Sequence, residues 1–260
     1  MPKKRIPMIV ELPAPETIDE AALAEALRAG EVDLVCVLGP TASGKTRYAV
    51  SLARRLGAEI ISADSRQVYR GMDIGTGKDL SEYGDVPYHL IDIQPAGARY
   101  NVYEYQKDFV KAYQDVRVRG RVPLLCGGTG LYIEAATCGY DFDKRYPVID
   151  PVLFPRKTYY IGTLVDRETR NARIDARLDA RLEEGLVDEV RGLLDAGIPA
   201  ETLIYYGLEY KFVTQHVLGI LSYDEMRTLL GNAIHQFAKR QMTWFRGMER
   251  DGIVIHWTEP

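Results

Sequence analysis

The chain has 260 residues, of which 46% are hydrophobic and 27% are charged, and its formal net charge at pH 7 is −4. Enough apolar residues are present for a sizeable core. The slightly negative charge argues against a protein that coats nucleic acid with its whole surface, although it permits a local basic patch. No apolar run approaches the length of a membrane span and no signal peptide is visible, so we expect a cytoplasmic protein without a membrane anchor.

The first 32 residues are predicted to form an N-terminal extension with one helix. Four prolines within residues 1–16 favour extended chain. Thr17-Ile-Asp-Glu20 fits the capping-box pattern and predicts a helix that starts there and ends at Gly30. The rest of the chain, residues 33–260, is predicted to form the core of the protein.

A phosphate-binding loop is predicted where the core begins. Residues 39–46 fit the pattern G-x-x-x-x-G-K-[ST] at every fixed position. The run before them predicts a buried strand over 33–38, and helical spacing after them predicts a helix that ends at Gly57. In this context, backbone amides and a helix N-terminus can bind a diphosphate. The predicted cradle consists of Gly39, Pro40, Thr41, Ala42, Ser43, Gly44, Lys45 and Thr46. An ordinary glycine turn is the alternative.

Within the cradle, Lys45 supplies a point charge and the hydroxyl of Thr46 can hold Mg²⁺. Nucleotide hydrolases usually carry a second motif, an apolar strand that ends in aspartate, and the chain has no clear example of it. It also lacks the Asn-Lys-x-Asp motif that recognises guanine. The cradle therefore need not serve ATP hydrolysis.

Strands and helices alternate after the loop. Further strands are predicted over 59–64, 88–92, 122–126, 159–165 and 253–257, with a loop rich in proline and charge over 141–157. Helices are predicted over 101–118, after 130, and over 167–196, 206–218 and 222–247, the last from the capping box Ser222-Tyr-Asp-Glu225. We expect an α/β fold like that of P-loop NTPases: a three-layer α/β/α structure with a mainly parallel sheet and a helical C-terminal part.

Two polar residues are predicted at the edge of the sheet that holds the phosphate loop, because ligands of such sheets bind beyond the carboxyl ends of the strands. Asp64 ends a strand and suits a general base or a water-mediated Mg²⁺ ligand. A capping aspartate is an equally good interpretation. Thr129, in Gly-Gly-Thr-Gly, can bind an oxygen near the cradle or merely cap the next helix.

Basic residues on two late helices are further candidates. Arg173 and Arg177 find no acidic residue three or four positions away on their helix, which costs little on a solvated face and suits the binding of an anion. Lys239, Arg240 and Arg246, near Trp244, suit single-stranded nucleic acid, although a solvated helix with Trp244 in the core explains them equally well. Cys36, Cys126 and Cys138 lack paired ligand spacing and are interpreted as core or unpaired residues in a reducing compartment.

Taken together, these stretches resemble the tRNA dimethylallyltransferases, also called tRNA isopentenyltransferases. The resemblance runs in the family's order along most of residues 33–257. It is carried by residues 39–46, 61–76, 89–92, 127–132, 173–177 with 185–190, and 238–246.

The resemblance implies transfer of a dimethylallyl group from dimethylallyl diphosphate to N6 of adenosine 37 in the anticodon stem-loop of tRNA, by an enzyme expected to be a monomer. Asp64 matches the family's catalytic aspartate, and Thr129 is expected to position the reacting groups. Lys45, Mg²⁺ on Thr46 and either Arg173 or Arg177 are expected to stabilise the departing diphosphate. The tRNA-binding residues are expected to be Asp64, Ser65, Arg66, Gln67, Thr129, Lys239, Arg240 and Arg246.

The sequence departs from the family's pattern in two places. Family members usually carry a helical insertion after the Gly-Gly-Thr-Gly helix, and here residues 141–157 form only a shortened remnant of it. Arg66 stands where the family usually has Met. The shortened insertion leaves open the prenylation of free adenine nucleotides, whereas a P-loop kinase of small metabolites and an inactive RNA-binding relative are weaker alternatives.

Overall fold

A parallel six-stranded sheet is the centre of the structure, a computed structural model that describes residues 12–140, 142 and 146–260. Along the sheet the strand order is β4-β2-β6-β1-β7-β8, and every neighbouring pair is parallel. Its strands are β1 (Leu34–Leu38), β2 (Ala58–Ser62), β4 (Tyr88–His89), β6 (Val122–Gly127), β7 (Thr158–Thr163) and β8 (Ile255–Thr258). Two short strands, β3 (Tyr69–Arg70) and β5 (Gln94–Pro95), pair separately.

The helices fall into an N-terminal set that connects the strands and a C-terminal set that follows β7. The first set is α1 (Glu20–Arg28), α2 (Lys45–Leu56), α3 (Val102–Val118) and α4 (Gly130–Thr137). The second set is α5 (Arg167–Glu183), α6 (Leu186–Asp195), α7 (Ala200–Tyr205), α8 (Leu208–Val217) and α9 (Tyr223–Arg250).

Alternate residues of β1 pack into two separate hydrophobic cores, because successive side chains of a strand point to opposite faces of the sheet. Val35 and Val37 pack with α1 and α2. Leu34, Cys36 and Leu38 pack with α3, α4 and the C-terminal helices. The sheet therefore lies between two helical layers, which confirms the predicted three-layer α/β/α architecture. None of the helices within the described ranges is long and apolar enough to cross a bilayer.

Several predicted element boundaries were wrong. Asp19, not Thr17, caps α1 and accepts a hydrogen bond from the amide of Ala22 (3.0 Å). Upstream, the amide of Glu16 is bonded to the carbonyl of Trp257, which keeps Thr17 outside the helix. The helix predicted over 167–196 breaks at Gly185, whose φ of 104° no α-helix accommodates. The capping box at Ser222 is confirmed, with Glu225 as its acidic partner.

The predicted N-terminal extension and the predicted loop are only partly described. Residues 1–11, 141 and 143–145 lie outside the described residues. Of the rest, Leu23 of α1 is buried in the same core as Val35. Residues 146–157 carry one short 3₁₀ turn, Pro151–Leu153.

The strand register brings three turns to one edge of the sheet. Leu38 lies opposite Gly127, and Ser62 lies opposite Cys126, so the ends of β1, β6 and β2 are level with one another. A side chain at Gly127 is excluded, because its Cβ would overlap the backbone carbonyl of Ala63. The segments that begin at Gly39, Gly128 and Ala63 consequently leave the sheet side by side.

We expect replacement of Gly127 by Ala to destabilise the protein by about 1–3 kcal/mol, as overpacking against rigid backbone does. Gly192 of α6 is the matched control, since a Cβ there meets nothing within 4 Å and the helix gains from alanine. G192A should stabilise by about 0.5–1 kcal/mol. Urea unfolding of the two variants measures both changes, and equal free energies of unfolding would contradict the close approach at Gly127.

Candidate functional site

A cavity of about 590 Å³ lies at the carboxyl ends of β1, β2 and β6. Loops from the sheet form one side of it and the C-terminal helices form the other. The sheet side is lined by Thr41, Lys45, Thr46, Asp64, Ser65, Arg66, Gln67, Gly127, Gly128, Thr129, Gly130 and the 74–77 loop. The helical side is lined by Ile174, Arg177, Leu178, Arg181, Glu209, Ile234, Phe237, Arg240, Gln241 and Trp244. The cavity thus joins a polar phosphate-loop side to a helical side that contributes both apolar and charged side chains.

The phosphate loop is anchored from below by β7. The hydroxyls of Ser43 and Thr163 are buried and hydrogen-bonded at 2.6 Å, and Thr163 also donates to the carbonyl of Leu38. A Cβ at Gly39 would overlap the Thr163 hydroxyl, so the loop passes closer to β7 than another residue type allows. Residues 39–44 then lead directly into α2 at Lys45, so that the positive end of the helix faces the cavity.

Lys45 is held in the cavity at an electrostatic cost. Burial lowers the pKa of its ammonium from the usual 10.5; Cys126 and Asp64 oppose this change, while Arg177 adds to it. The ammonium donates to the carbonyl of Pro40 at 3.5 Å. A poorly solvated ammonium of this kind favours the arrival of an anion.

Asp64 and Thr129 are connected through the turn that follows Asp64, which contains Ser65 and Arg66. Asp64 Oδ1 accepts from the amide of Arg66 at 2.9 Å, which fixes the orientation of the carboxylate. Thr129 Oγ1 accepts from the amide of Ser65 (3.2 Å), and the amide of Thr129 donates to the carbonyl of Ala63 (3.2 Å). Asp64, Thr129 and Lys45 therefore line one cavity, as expected from their places at the strand ends.

The arginines of α5 lie in two environments, the cavity and the solvent-exposed surface. Arg177 lines the cavity and donates from Nη2 to the carbonyl of Gly77 (3.2 Å) and to Asp79 (3.0 Å). Arg181 also pairs with Asp79, and Arg173 is exposed and does not line the cavity. Of the two arginines considered for the diphosphate, Arg177 is the one that lines the cavity. The acidic partner missing from α5 is supplied by a loop about a hundred residues away in sequence.

The 73–77 loop, which forms one wall of the cavity, is held by Glu189 of α6. The Glu189 carboxylate accepts from three successive amides, those of Asp73, Ile74 and Gly75, at 2.7–3.0 Å. Tyr210 donates to the same carboxylate at 2.7 Å. Such a run of convergent amides is a ready anion site, and here a side chain of the protein occupies it.

The basic residues of α9 do not share one environment. Arg240 lines the cavity, with its guanidinium 5.8 Å from the ring centroid of Phe237. Trp244 is 41% exposed, so its alternative placement in the core was wrong, and its indole donates to Glu134. Lys239 is exposed and Arg246 pairs with Glu249; neither lines the cavity.

Two further residues of the cavity escaped the sequence analysis. Gln241 is 8% exposed and connects the phosphate loop to the Gly127–Gly130 turn. Its signal was a polar residue on the buried stripe of a helix, between Ala238 and Phe245. Glu209 is the second carboxylate that lines the cavity, and burial raises its pKa, with Arg177 and Arg66 among the groups that oppose the rise. Glu209 lies in the first turn of α8, directly after the cap at Gly207 and Leu208. No hydrophobic periodicity in the sequence therefore marks it as a cavity residue.

Comparison with known proteins places this site in a family. A model described as "IPP transferase" matches residues 67–153 and 144–248, and one described as "Isopentenyl transferase" matches residues 32–83. The chain belongs to the IPP transferase family. This confirms the resemblance drawn from the motifs.

Relatives match the chain over most of its length. The chain is 49% identical to "tRNA dimethylallyltransferase 1" of Porphyromonas gingivalis over 87% of its own length and 93% of that protein, and 47% identical to the namesake of Parabacteroides distasonis. Among solved structures, the full-length tRNA isopentenylpyrophosphate transferase of Bacillus halodurans is 32% identical, with a TM-score of 0.77 over 87% of this chain and 89% of that one. A eukaryotic dimethylallyltransferase acting on tRNA, 17% identical with a TM-score of 0.74, shares the fold.

The alignment with the P. gingivalis protein has 282 positions, of which 87% of this 260-residue chain fills about 226. This chain is therefore shorter than that protein over the aligned region. The two parts of the "IPP transferase" match overlap at residues 144–153.

We expect Lys45→Met to make the ligand-free protein more stable while abolishing its stabilisation by diphosphates. The folded-state pKa of Lys45 lies below 10.5, so the unfolded chain holds this proton more tightly. The penalty is complete below the folded-state pKa and fades as pH rises towards 10.5. The melting temperature of K45M should exceed that of the wild type most clearly at pH 7.

Exposed Lys107 of α3 provides the control, since K107M should change neither stability nor the diphosphate response. Calorimetric melting with and without inorganic diphosphate, from pH 7 to 10, tests both variants. A lower melting temperature for K45M at pH 7 would show that the ammonium stabilises the ligand-free fold.

Proposed function

We propose that this chain transfers a dimethylallyl group from dimethylallyl diphosphate to N6 of adenosine 37 in tRNA. The observation that carries the proposal is the meeting of Asp64, Thr129, Lys45 and Arg177 around one cavity that is also lined by apolar side chains. A proton acceptor then lies in the same enclosed space as the groups that bind a leaving diphosphate. The relatives named tRNA dimethylallyltransferase support the choice of substrates.

The diphosphate half of the donor binds in the cradle of residues 39–46, against the amino terminus of α2 and the ammonium of Lys45. Arg177 reaches the same space from α5 and supplies a planar guanidinium for a bidentate contact. These charges stabilise the negative charge that builds up on the departing oxygen. The dimethylallyl group packs against the apolar side chains, among them Ile174, Leu178 and Ile234.

The adenine N6 attacks C1 of the dimethylallyl group as the bond from C1 to the diphosphate oxygen breaks. The electron pair of that bond leaves on the diphosphate, and one N6 proton passes to the carboxylate of Asp64. Asp64 is pre-oriented for this step by the amide of Arg66, and Thr129 is fixed beside it through Ser65. The target base must leave its stack to reach the cavity.

The residues present suit a Mg²⁺ ion that binds together with the substrate. The hydroxyl of Thr46 and the carboxylate of Asp64 both line the cavity, and the described residues contain no group of three or more His, Cys, Asp or Glu that could hold a metal without substrate. Mg²⁺ commonly binds through few protein oxygens plus phosphate oxygens and water. When bound, it neutralises charge on the diphosphate.

The tRNA is held by basic and aromatic side chains around the cavity. Arg66, Arg240, Phe237 and Trp244 line it, and Phe237 and Trp244 are exposed enough to stack on bases. Ser65 and Gln67 contact the flipped nucleotide, and Lys239 and Arg246 add phosphate contacts farther out.

In this proposal, residues 141–157 after α4 are a shortened remnant of the family's helical insertion. The enzyme works in the cytoplasm as a monomer.

Labelled dimethylallyl diphosphate, offered with unmodified tRNA or with AMP, tests the reaction. Label should enter tRNA, and Asp64→Ala should lower transfer at least about 100-fold, the usual worth of a general base, while diphosphate affinity changes little. Asp195→Ala, at an exposed site on α6, is the control. Label in AMP alone would favour the free-nucleotide alternative, and full activity of D64A would remove Asp64 from the mechanism.

Arg66→Met should weaken tRNA binding and reduce the slope of log Kd against log salt concentration by about 1, as the loss of one phosphate contact does. Arg28→Met, at an exposed position on α1 outside the cavity, should change neither quantity. Filter binding at several salt concentrations measures both. An unchanged slope for R66M would rule out the phosphate contact.

A further inference from the structure

Gln241 of α9 is wedged between the two loops on which the proposed reaction depends. Its Oε1 accepts from both the amide (2.9 Å) and the hydroxyl (3.1 Å) of Thr41 in the phosphate loop. Its Nε2 donates to the carbonyl of Gly128, beside Thr129, at 2.8 Å. The side chain is 8% exposed.

The three bonds leave the amide group one orientation. The oxygen must face the two donors of Thr41, and the nitrogen must face the Gly128 carbonyl, because an amide oxygen cannot donate. No other residue type places an acceptor and a donor at these two positions with the same length. Glutamate keeps the bonds from Thr41 but cannot donate to Gly128, and methionine keeps the shape but loses all three bonds.

Gln241 also ties both loops to α9. Three residues further on, Trp244 packs so closely on Gly130 that a Cβ there would overlap the indole ring. The Gly127–Gly130 turn is therefore held to the helix at Gly128 and at Gly130, while Thr41 connects the phosphate loop to the same point. The distance between the two loops depends on where this helix lies.

We propose that Gln241 is a positioning residue, which sets the separation between the diphosphate cradle and the turn that carries Thr129. The proposal rests on the proposed function, because it concerns the placement of donor and acceptor in that reaction. Each substrate can still bind when Gln241 is lost, since the cradle and the base-binding residues remain. Their alignment suffers, and a misplacement of about 1 Å costs on the order of 100-fold in rate.

The test compares Gln241→Met with Gln236→Met, an exposed glutamine five residues earlier on α9. Q241M should lower kcat about 10–100-fold and leave the Kd for dimethylallyl diphosphate within about threefold of the wild type. Q236M should match the wild type in both. Gln241→Glu should lower kcat and also weaken diphosphate binding, because it adds a negative charge beside the cradle. Near-normal kcat in Q241M, or equal losses in kcat and affinity, would overturn the proposal.

Thr41→Val serves if Q241M does not fold. It removes only the hydroxyl bond and should lower kcat about threefold to tenfold. The Kd for dimethylallyl diphosphate should change less than kcat, because the backbone amides and Lys45 of the cradle stay in place. Unchanged kcat overturns the proposal. If both variants fold, the double variant should lose no more than Q241M alone, because residues that share one bond are not additive. Independent losses in the double variant would count against a role through Thr41.

Hydrogen exchange separates this proposal from the proposed function. Dimethylallyl diphosphate should protect the backbone amides of residues 39–46 from exchange in both the wild type and Q241M. It should protect the amides of residues 127–130 only in the wild type. A wild type that transfers label to neither acceptor refutes the proposed function, and the exchange measurement still decides on Gln241. Equal protection of 127–130 in Q241M would disprove the coupling.

Discussion

The level ends of β1, β6 and β2 are the constraint on which the site depends. The register pairs Leu38 with Gly127 and Ser62 with Cys126, so the turns that follow these three neighbouring strands begin at the same level of the sheet. Parallel strands joined by helices impose this arrangement without any functional residue taking part. The backbone contact between Gly127 and Ala63 then brings Asp64 and Thr129 closer together than side-chain packing would permit. A phosphate loop alone would bind an anion; in the proposed reaction, the adjacent turns add the proton acceptor.

More positively than negatively charged side chains line the cavity. Lys45, Arg66, Arg177, Arg181 and Arg240 line it, opposed by two carboxylates and by Asp79 behind the wall. Burial lowers the pKa of Lys45, so the ammonium of this residue is poorly solvated in the ligand-free protein. Such groups need little rearrangement when charge develops on a leaving group, which is how preorganised sites accelerate reactions. Stability is lost where binding is gained.

Local patterns predicted most of what lies on the sheet side of the cavity. The phosphate loop and the strand ends at Asp64 and Thr129 are local features, and the alternation of strands and helices determined which edge they share. The helical side was harder, because its contacts join residues distant in sequence. Nothing near Arg177 indicates that Asp79 is its partner, and the break at Gly185 interrupts an otherwise regular helical pattern. Gln241 sits in a motif carried by the resemblance, yet its role follows only from contacts with residues 41 and 128.

The helical part completes a site that the sheet only begins. Glu189 of α6 fills the amides of residues 73–75 with a carboxylate, so this wall offers no competing anion site beside the cradle. The α5 helix adds Arg177, and α9 adds Gln241 between the phosphate loop and the Gly127–Gly130 turn. These three contributions come from residues 170 to 245, far along the chain from the phosphate loop. None of the described residues between α4 and β7 lines the cavity. The arrangement of Lys45, Asp64 and Thr129 therefore depends on the ends of the strands and on the C-terminal helices, and not on the segment that joins α4 to β7.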